Sequence, residues 1–327
     1  MKILFVGSAL VDVVARMHDP EEISIRHGSR EGNLLEKLVC VNLGSKSELD
    51  SIDLRFGGSA ANAAVAARCA GAQARILTAV GKDEFGRLVK KDLKAHGIGG
   101  KVVEDGSLPT AASIVLLAKG EKSSLTFKGA LANLSPLHVT PTLVEWSDVV
   151  FITSLTSEGN MRAVKKIITL ARRCGKPVMF APSMTMLNAQ LDAVRAMRSG
   201  FDVVIMNEEE AVKLTGENNI QATLKALPGT VKVVTRGARG AVGMKAGRMI
   251  SIPSAAGRVV DATGAGDAFA GVFAQSNLAG ETLETSLKMA TAAAALKMTR
   301  VGAHLKCTRN EIIAAARKLK TKGGAVS

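Results

Sequence analysis

Residues 261–274, DATGAGDAFAGVFA, combine a glycine-rich turn with a carboxylate at the start of an apolar helical pattern. Glycines allow a tight turn and a close approach of the backbone to a ligand. The first turn of a helix has free N–H groups and the positive end of the helix dipole, so this arrangement favours an anion. Asp267 is then placed to accept a proton from an attacking hydroxyl group. Asp is also a common helix cap, and this motif alone leaves both interpretations open.

A second glycine motif, residues 56–72, reads FGGSAANAAVAARCAGA. Its two glycines precede a helix so rich in alanine that the helix must pack closely against a flat surface. Asn62 is the only large polar group in the first turns of that helix. An Asn at this place either hydrogen-bonds the start of the helix or contacts a ligand.

Elsewhere, short apolar runs alternate with helical patterns, which predicts parallel βαβ units. Strands are expected at residues 3–6, 76–80, 149–152, 178–180, 203–206 and 231–234, and helices at 83–96, 161–174, 188–197 and 208–214. Residues 19–55 and 101–128 differ, because their short alternating pieces and turns predict a small separate sheet. We therefore expect an α/β fold, a three-layer α/β/α sandwich with a small β-sheet lid.

Three loops follow predicted strands: residues 207–210 (NEEE), residues 236–240 (RGARG) and the turn at 261–267. They should face one crevice, because ligands bind at the carboxyl ends of the strands in open parallel sheets. A dinucleotide-binding fold is the competing interpretation of such glycine loops. It is weakened because the first strand is not followed by G-x-G-x-x-G.

The composition limits the other classes of function. A formal net charge of +14 favours anionic partners, but aromatic residues make up only 3% of the chain and the basic residues are dispersed. A solvated basic surface is therefore favoured over a nucleic-acid site. The four cysteines form no CxxC pair, so neither zinc nor disulfides are expected and a cytoplasmic location is predicted. No uncharged apolar stretch reaches the ~18 residues of a membrane span, so no membrane partner is expected.

Four motifs, in their order and spacing, resemble those of the ribokinase/PfkB-type carbohydrate kinases. Residues 56–64 and 261–269 are similar to the family's two signatures, residues 207–210 to its Asn-x-x-Glu motif, and residues 235–240 to its nucleotide loop Thr-x-Gly-x-x-Gly. The resemblance extends from residue 2 to about residue 312. It implies one ribokinase-like kinase domain over residues 1–320, with lid segments at about 14–56 and 100–130 and a loose tail at 321–327.

The resemblance also implies roles for individual residues. Asp267 would be the base that takes the proton of the acceptor hydroxyl. The anion hole for the transferring phosphoryl group would consist of the amides of Gly264, Ala265 and Gly266. The acceptor would be held by Asp12, Gly57, Gly58 and Asn62. The nucleotide would contact Asn207, Thr235, Gly237 and Gly240, and Glu210 would hold Mg²⁺ through water. A monovalent cation, K⁺, would lie at Asp261, Thr263, Arg300 and Gly302.

These roles predict an ATP- and Mg²⁺-dependent kinase that transfers the γ-phosphoryl group to a primary hydroxyl of a sugar. An adenosine-like nucleoside kinase would use the same chemistry, but the lid offers only Phe56 and Phe127 to stack on a base, which favours a sugar. The alternative from another class is a non-catalytic sugar or nucleotide sensor. A sensor would not need Asp267. The lid of several family members forms a dimer interface, so a homodimer is expected.

Departures from the family's pattern leave the acceptor open. Residues 180–183 read FAPS where the family often has Asp or Asn, and Ser59 stands where ribokinases often carry Lys. Ala111 and Ala112 lie about where kinases of phosphorylated hexoses place an Arg for the substrate's phosphate. Lys46 is either a phosphate contact from the lid or a surface lysine in a turn.

Overall fold

The structure is a computed structural model that describes residues 1–17, 21–29, 32–40, 43–44, 46–118, 121–255 and 257–321. Residues 322–327 of the predicted tail lie outside this range. The strands are β1 (Lys2–Val6), β2 (Leu10–Met17), β3 (Glu21–Ser29), β4 (Gly32–Cys40), β5 (Leu49–Gly57), β6 (Gln73–Gly81), β7 (Gly99–Asp105), β8 (Ala112–Ala118), β9 (Glu121–Phe127), β10 (Val149–Ile152), β11 (Val178–Phe180), β12 (Val203–Asn207), β13 (Val231–Thr235), β14 (Ala241–Lys245) and β15 (Arg248–Ile252). The helices are α1 (Ser59–Cys69), α2 (Glu84–Ala95), α3 (Pro141–Trp146), α4 (Glu158–Arg173), α5 (Met184–Ala196), α6 (Glu208–Thr215), α7 (Ile220–Ala226), α8 (Ala265–Leu278), α9 (Leu283–Met298) and α10 (Arg309–Arg317).

Over the described residues, nine strands form a central sheet in the order β15-β14-β13-β12-β11-β10-β1-β6-β7. The strands from β13 to β7 are parallel, and β14 and β15 add an antiparallel hairpin at one edge. Leu4 and Val6 join one hydrophobic core, whereas Ile3 and Phe5 join another, because successive side chains of a strand point to opposite faces. The first core is covered by α3 to α7 and the second by α1, α2, α8 and α9. The predicted three-layer sandwich is confirmed.

A second sheet of four strands has the order β5-β2-β8-β9, and β3 pairs with β4 as a hairpin. This small sheet is the predicted lid, but β7 lies outside it. Although β7 falls within the predicted lid segment 100–130, it pairs in parallel with β6 at the edge of the central sheet. This edge strand is short, and its residues are exposed or half exposed, as in a lid strand, so the sequence pattern could not separate the two.

The two faces of the lid sheet differ in polarity. Leu54, Ile114 and Leu125 lie in one row across the sheet, and each is about half exposed. The neighbouring row contains Asp12 and Ser113, which are paired across β2 and β8 and line a cavity beneath the lid. The lid therefore places polar side chains over this cavity and an apolar row on its opposite face.

Helices α1 and α8 pack backbone against backbone over one face of the central sheet. A methyl group at Gly271 would stand 2.1 Å from the carbonyl oxygen of Ala63, so only glycine permits this approach. The small side chains of α1 are buried along the contact, as the alanine-rich sequence predicts. The contact brings the first turns of the two helices together. No helix in the described part of the chain is long and apolar enough to cross a membrane.

Candidate active site

The two glycine motifs meet at Asp267 through side-chain hydrogen bonds. The side-chain amide Nδ2 of Asn62, in the first turn of α1, donates to Oδ2 of Asp267 at 2.8 Å, in the first turn of α8. The two residues are far apart in sequence and are brought together by the close packing of α1 and α8. The bond helps to fix the orientation of the carboxylate.

The environment of Asp267 suits a general base. Burial raises the pKa of this carboxyl to about 6, even though hydrogen bonds from Asn62 and Ser59 oppose the rise, and the charge of Asp12 adds to it. A carboxylate with this pKa is mostly ionised at pH 7 and still binds a proton more readily than an ordinary aspartate. Such a value, close to the operating pH, is favourable for proton abstraction.

The turn before α8 needs glycine for its shape. Gly264 is the N-cap of α8 with a φ of 74°, and a Cβ atom there would lie 2.3 Å from the carbonyl oxygen of Ala303. The amide of Ala265 donates to the carbonyl of Ala262 at 3.2 Å. Of the three residues of the predicted anion hole, Ala265 thus has its amide engaged in closing the turn. Gly266 is exposed beside Asp267.

Three of the cavities that border this turn share lining residues with one another. The first, about 250 Å³, lies beneath the lid and is lined by Asp12, Gly58, Asn62, Gly264 and Asp267. The second, about 200 Å³, is lined by Asn207, Glu210, Thr235, Gly266 and Asp267. The third, about 280 Å³, is lined by Thr235, Gly237, Gly240, Gly266 and Phe269. Asp267 borders the first two cavities and Gly266 the last two, so the predicted acceptor, phosphate and nucleotide residues line adjoining cavities in that order. Gly57 lies against Asp12, which lines the acceptor cavity, because a Cβ atom at Gly57 would stand 2.6 Å from Oδ2 of Asp12.

Glu210 is a buried carboxyl group opposite Asp267. Its Oε2 accepts from the amide of Asn207 at 2.8 Å, while its own amide donates to Oδ1 of Asn207 at 2.8 Å, which caps α6. Burial raises the pKa of Glu210 to about 7, and the charges of Asp267 and Glu209 add to the rise. A divalent cation would lower this pKa. Carboxylate and amide oxygens are the ligands that Mg²⁺ prefers, so these residues fit that ion.

Asp261 organises the loop that leads into α8. Its carboxylate accepts from the amides of Thr263 at 2.9 Å and Gly302 at 3.0 Å. Burial opposes ionisation of Asp261, but these hydrogen bonds and the charge of Lys297 outweigh it and lower the pKa of the carboxyl group. Lys297 is buried at the end of α9, and its Nζ donates to the carbonyl oxygens of Asp261 at 2.7 Å and Arg300 at 3.4 Å.

The sequence did not single out Lys128, which lines the acceptor cavity. Its side chain is half-buried, and burial lowers the pKa of the ammonium group. No hydrogen bond or ion pair joins it to any residue that the structure describes. Lys46, by contrast, is exposed and does not line the cavity. Only the position of residue 128 directly after β9, where the lid joins the core, could have drawn attention to it.

Residues 33–323 match the pfkB family of carbohydrate kinases, and this chain belongs to that family. It is a kinase, a phosphotransferase with an alcohol acceptor. An ATP-dependent 6-phosphofructokinase from Thermoanaerobacterium thermosaccharolyticum is 25% identical over 77% of this chain and 81% of its own. A deoxyribokinase from Salmonella typhi is 30% identical over 71% of this chain and 77% of its own.

The solved structures with a similar fold include a ribokinase II candidate. This candidate, from E. coli and solved in complex with ATP and Mg²⁺, superimposes with a TM-score of 0.80 at 22% identity, over 97% of this chain and 99% of its own. The resemblance to this family and the ribokinase-like fold are thus confirmed.

Proposed function

We propose that this chain transfers the γ-phosphoryl group of ATP to a primary hydroxyl of a sugar, with Asp267 as the base. The hydrogen-bonded pair of Asn62 and Asp267 carries this proposal, because it lies where the acceptor cavity meets the phosphate cavity. A carboxylate whose pKa is about 6, held in place between two cavities, is suited to take a proton from an alcohol.

The chain's residues divide the reaction between them. The acceptor hydroxyl gives its proton to Asp267 while its oxygen forms a bond to the γ-phosphorus, and the bond from that phosphorus to the bridging oxygen of ADP breaks. The amides around Gly264–Gly266 and the N-terminus of α8 favour negative charge on the transferring group. Asp12, Gly58 and Asn62 hold the acceptor beneath the lid, which excludes water.

The nucleotide and Mg²⁺ would bind on the side of Asp267 that faces away from the acceptor cavity. Glu210 and Asn207 would hold Mg²⁺, which neutralises charge on the phosphates. Thr235, Gly237 and Gly240 would border the nucleotide. The glycine loop is tied to α6, because Glu208 accepts from Nε of Arg236 at 3.3 Å and also pairs with Arg239. The E. coli relative that was solved with ATP and Mg²⁺ supports this choice of donor.

Lys128 favours an acceptor that carries a negative charge besides its hydroxyls. A half-buried ammonium group that has no partner among the described residues would be stabilised by a carboxylate or phosphate of the acceptor. The 6-phosphofructokinase relative is named for a sugar phosphate, which agrees with such an acceptor. Among sugars, we therefore expect sugar acids or sugar phosphates to be the better substrates.

The test is ADP release from ATP and Mg²⁺ with neutral sugars, sugar acids, sugar phosphates and nucleosides. We expect turnover with a charged sugar. Lys128→Met should raise the KM for that sugar by about 10-fold to 100-fold, because this factor corresponds to the loss of one charge-assisted hydrogen bond. It should change kcat little. Lys46→Met is the matched control, since Lys46 is exposed in the lid, and it should leave KM unchanged.

Several outcomes would contradict the proposal. Turnover with nucleosides alone would identify a nucleoside kinase. Turnover with a neutral sugar, unaffected by Lys128→Met, would contradict the role of Lys128. ATP binding without turnover on any acceptor would support the non-catalytic sensor.

The apolar face of the lid supports a homodimer. Leu54, Ile114 and Leu125 form a half-exposed row across the sheet, and Ile52 on the same face is exposed as well. A contiguous apolar face of this kind is typical of a surface covered by a partner. A second copy of the chain offers the same face, so two lids can cover each other in an isologous contact.

A further inference from the structure

A buried lysine lies directly under the loop that carries the proposed anion hole. Lys297 is 1% exposed, although lysine is rarely buried without compensation. Its ammonium group donates to the carbonyl of Asp261, which begins the loop leading to Gly264, at 2.7 Å. It also approaches the carbonyl of Arg300 at 3.4 Å, in the loop that follows α9. One positive charge therefore joins the two loops that meet at the start of α8.

These contacts are the kind that a bare monovalent cation makes. Backbone carbonyl oxygens replace the hydration shell of K⁺ in proteins. The carboxylate of Asp261 adds negative charge beside those carbonyls, and the nearby positive charge of Lys297 helps to keep it ionised. A monovalent cation does not fit here, because Nζ of Lys297 already lies at hydrogen-bond distance from the carbonyl of Asp261. A second positive charge at that distance would be repelled strongly in a buried place.

We propose that the ammonium group of Lys297 takes the place of a monovalent cation and positions the loop of the anion hole. It holds the carbonyl of Asp261 while the carboxylate of Asp261 holds the amides of Thr263 and Gly302. The turn at Gly264 follows directly and rests against the carbonyl of Ala303. The kinase consequently has its cation built into the chain and needs no K⁺. This inference rests on the proposed function of the same site.

The simpler alternative is that Lys297 only caps the end of α9, since a lysine near a helix C-terminus can bond the last carbonyls. A cap would contribute to folding and nothing more. The two roles differ in their response to added cations, because only a positioning charge can be replaced by an ion that binds the same oxygens.

The experiment measures turnover and melting temperature with K⁺, Na⁺ or tetramethylammonium as the sole monovalent cation. The wild type should have the same kcat in all three. Lys297→Met removes the charge, and in tetramethylammonium its kcat should fall by up to about 100-fold, the effect of a displaced catalytic loop. Addition of NH₄⁺ or K⁺ should restore much of this loss. The melting temperature of the variant should rise with K⁺ or NH₄⁺, whereas that of the wild type should not.

Lys288→Met is the matched control. Lys288 lies on the same helix, but its Nζ bonds to Glu284 at 2.9 Å at the surface, so its removal should change neither kcat nor the response to cations. If Lys297→Met fails to fold, Lys297→Gln keeps a donor without the charge and takes its place.

A wild type that requires K⁺ would overturn the inference, as would a Lys297→Met variant that is less stable but has full kcat without any small cation. If no acceptor is phosphorylated under any condition, the proposed function fails. The melting temperatures still decide the role of Lys297 in that case.

Discussion

The substitution Asp267→Asn should make the protein more stable and far less active. Burial raises the pKa of this carboxyl from 3.8 to about 6, which means that the folded chain disfavours the ionised form. A tenfold change in proton affinity corresponds to about 1.4 kcal/mol, so the penalty at neutral pH is about 3 kcal/mol. Asparagine has the same shape without the charge, and its carbonyl oxygen can still accept from Asn62.

The sign of the pH dependence follows from the raised pKa. Between pH 4 and pH 6 the folded chain binds this proton more tightly than the unfolded chain, so the penalty is absent at low pH and grows as pH rises. The variant should therefore exceed the wild type in stability above about pH 6 and match it near pH 4. For 327 residues, an unfolding entropy of about 2.1 cal/mol/K per residue converts about 3 kcal/mol into roughly 4 °C of melting temperature.

Turnover should move in the opposite direction. Removal of the base should lower kcat by about 10²-fold to 10⁴-fold with ATP binding retained. In the wild type, kcat/KM should fall as pH decreases through about 6, because Asp267 becomes protonated. Melting curves between pH 4 and pH 8, together with ADP release, measure both effects.

The matched control is Asp83→Asn. Asp83 caps α2, and although burial opposes it, hydrogen bonds from Thr110 and the amide of Gly86 lower the pKa of Asp83 below its usual value. Its replacement should destabilise the protein at neutral pH, and the difference should shrink as pH falls. An Asp267→Asn variant that is less stable than the wild type at pH 8, or that keeps full turnover, would refute the assignment of Asp267 as a base with a raised pKa.

Two further predictions concern the turn before α8 and the lid. Gly264→Ala should cost roughly 1–3 kcal/mol, because its φ of 74° and the nearby carbonyl of Ala303 exclude a Cβ atom, whereas Gly266→Ala meets no atom within 4 Å and should keep the wild-type melting temperature. Equal melting temperatures for the two variants would contradict this account of the turn. Ile114→Glu in the apolar lid face should convert a dimer into a monomer in light scattering, with Leu137→Glu, an exposed apolar residue outside the lid sheet, as the control. A wild type that is monomeric at all concentrations would contradict the lid interface.

The parts of the fold that the sequence predicted well are the buried parallel strands. Residues 149–152, 178–180 and 203–206 are continuous apolar runs because both of their faces are covered, and they lie in β10, β11 and β12. The sequence of β7 predicts a lid strand, because an exposed strand at the edge of the central sheet and a strand of the lid sheet have similar residue patterns. The hairpin of β14 and β15, which extends the central sheet, was not predicted.

The candidate site was predicted in pieces. The glycine motifs pointed to Asn62 and Asp267 separately, but only the packing of α1 on α8 joins them. Lys128 and Lys297 were missed because the burial of a lysine depends on the chain around it. A signal for Lys297 does exist, since it interrupts the alanine-rich and otherwise largely apolar sequence of residues 289–298. A charge at such a place needs a partner in the interior.

The tight contact between Gly271 and Ala63 has a consequence for how such a chain can change over evolutionary time. Asn62 lies on α1 and Asp267 lies on α8, and these helices are packed too closely to shift past each other. The relative position of the two residues is therefore expected to change little during evolution. Part of the cavity wall comes from β8, β9 and Lys128, outside this pair of helices. Substitutions there can exchange one acceptor for another while the chemistry stays intact. A fixed pair of helices for catalysis and a separate lid for acceptor binding allow the same reaction to be used on different acceptors.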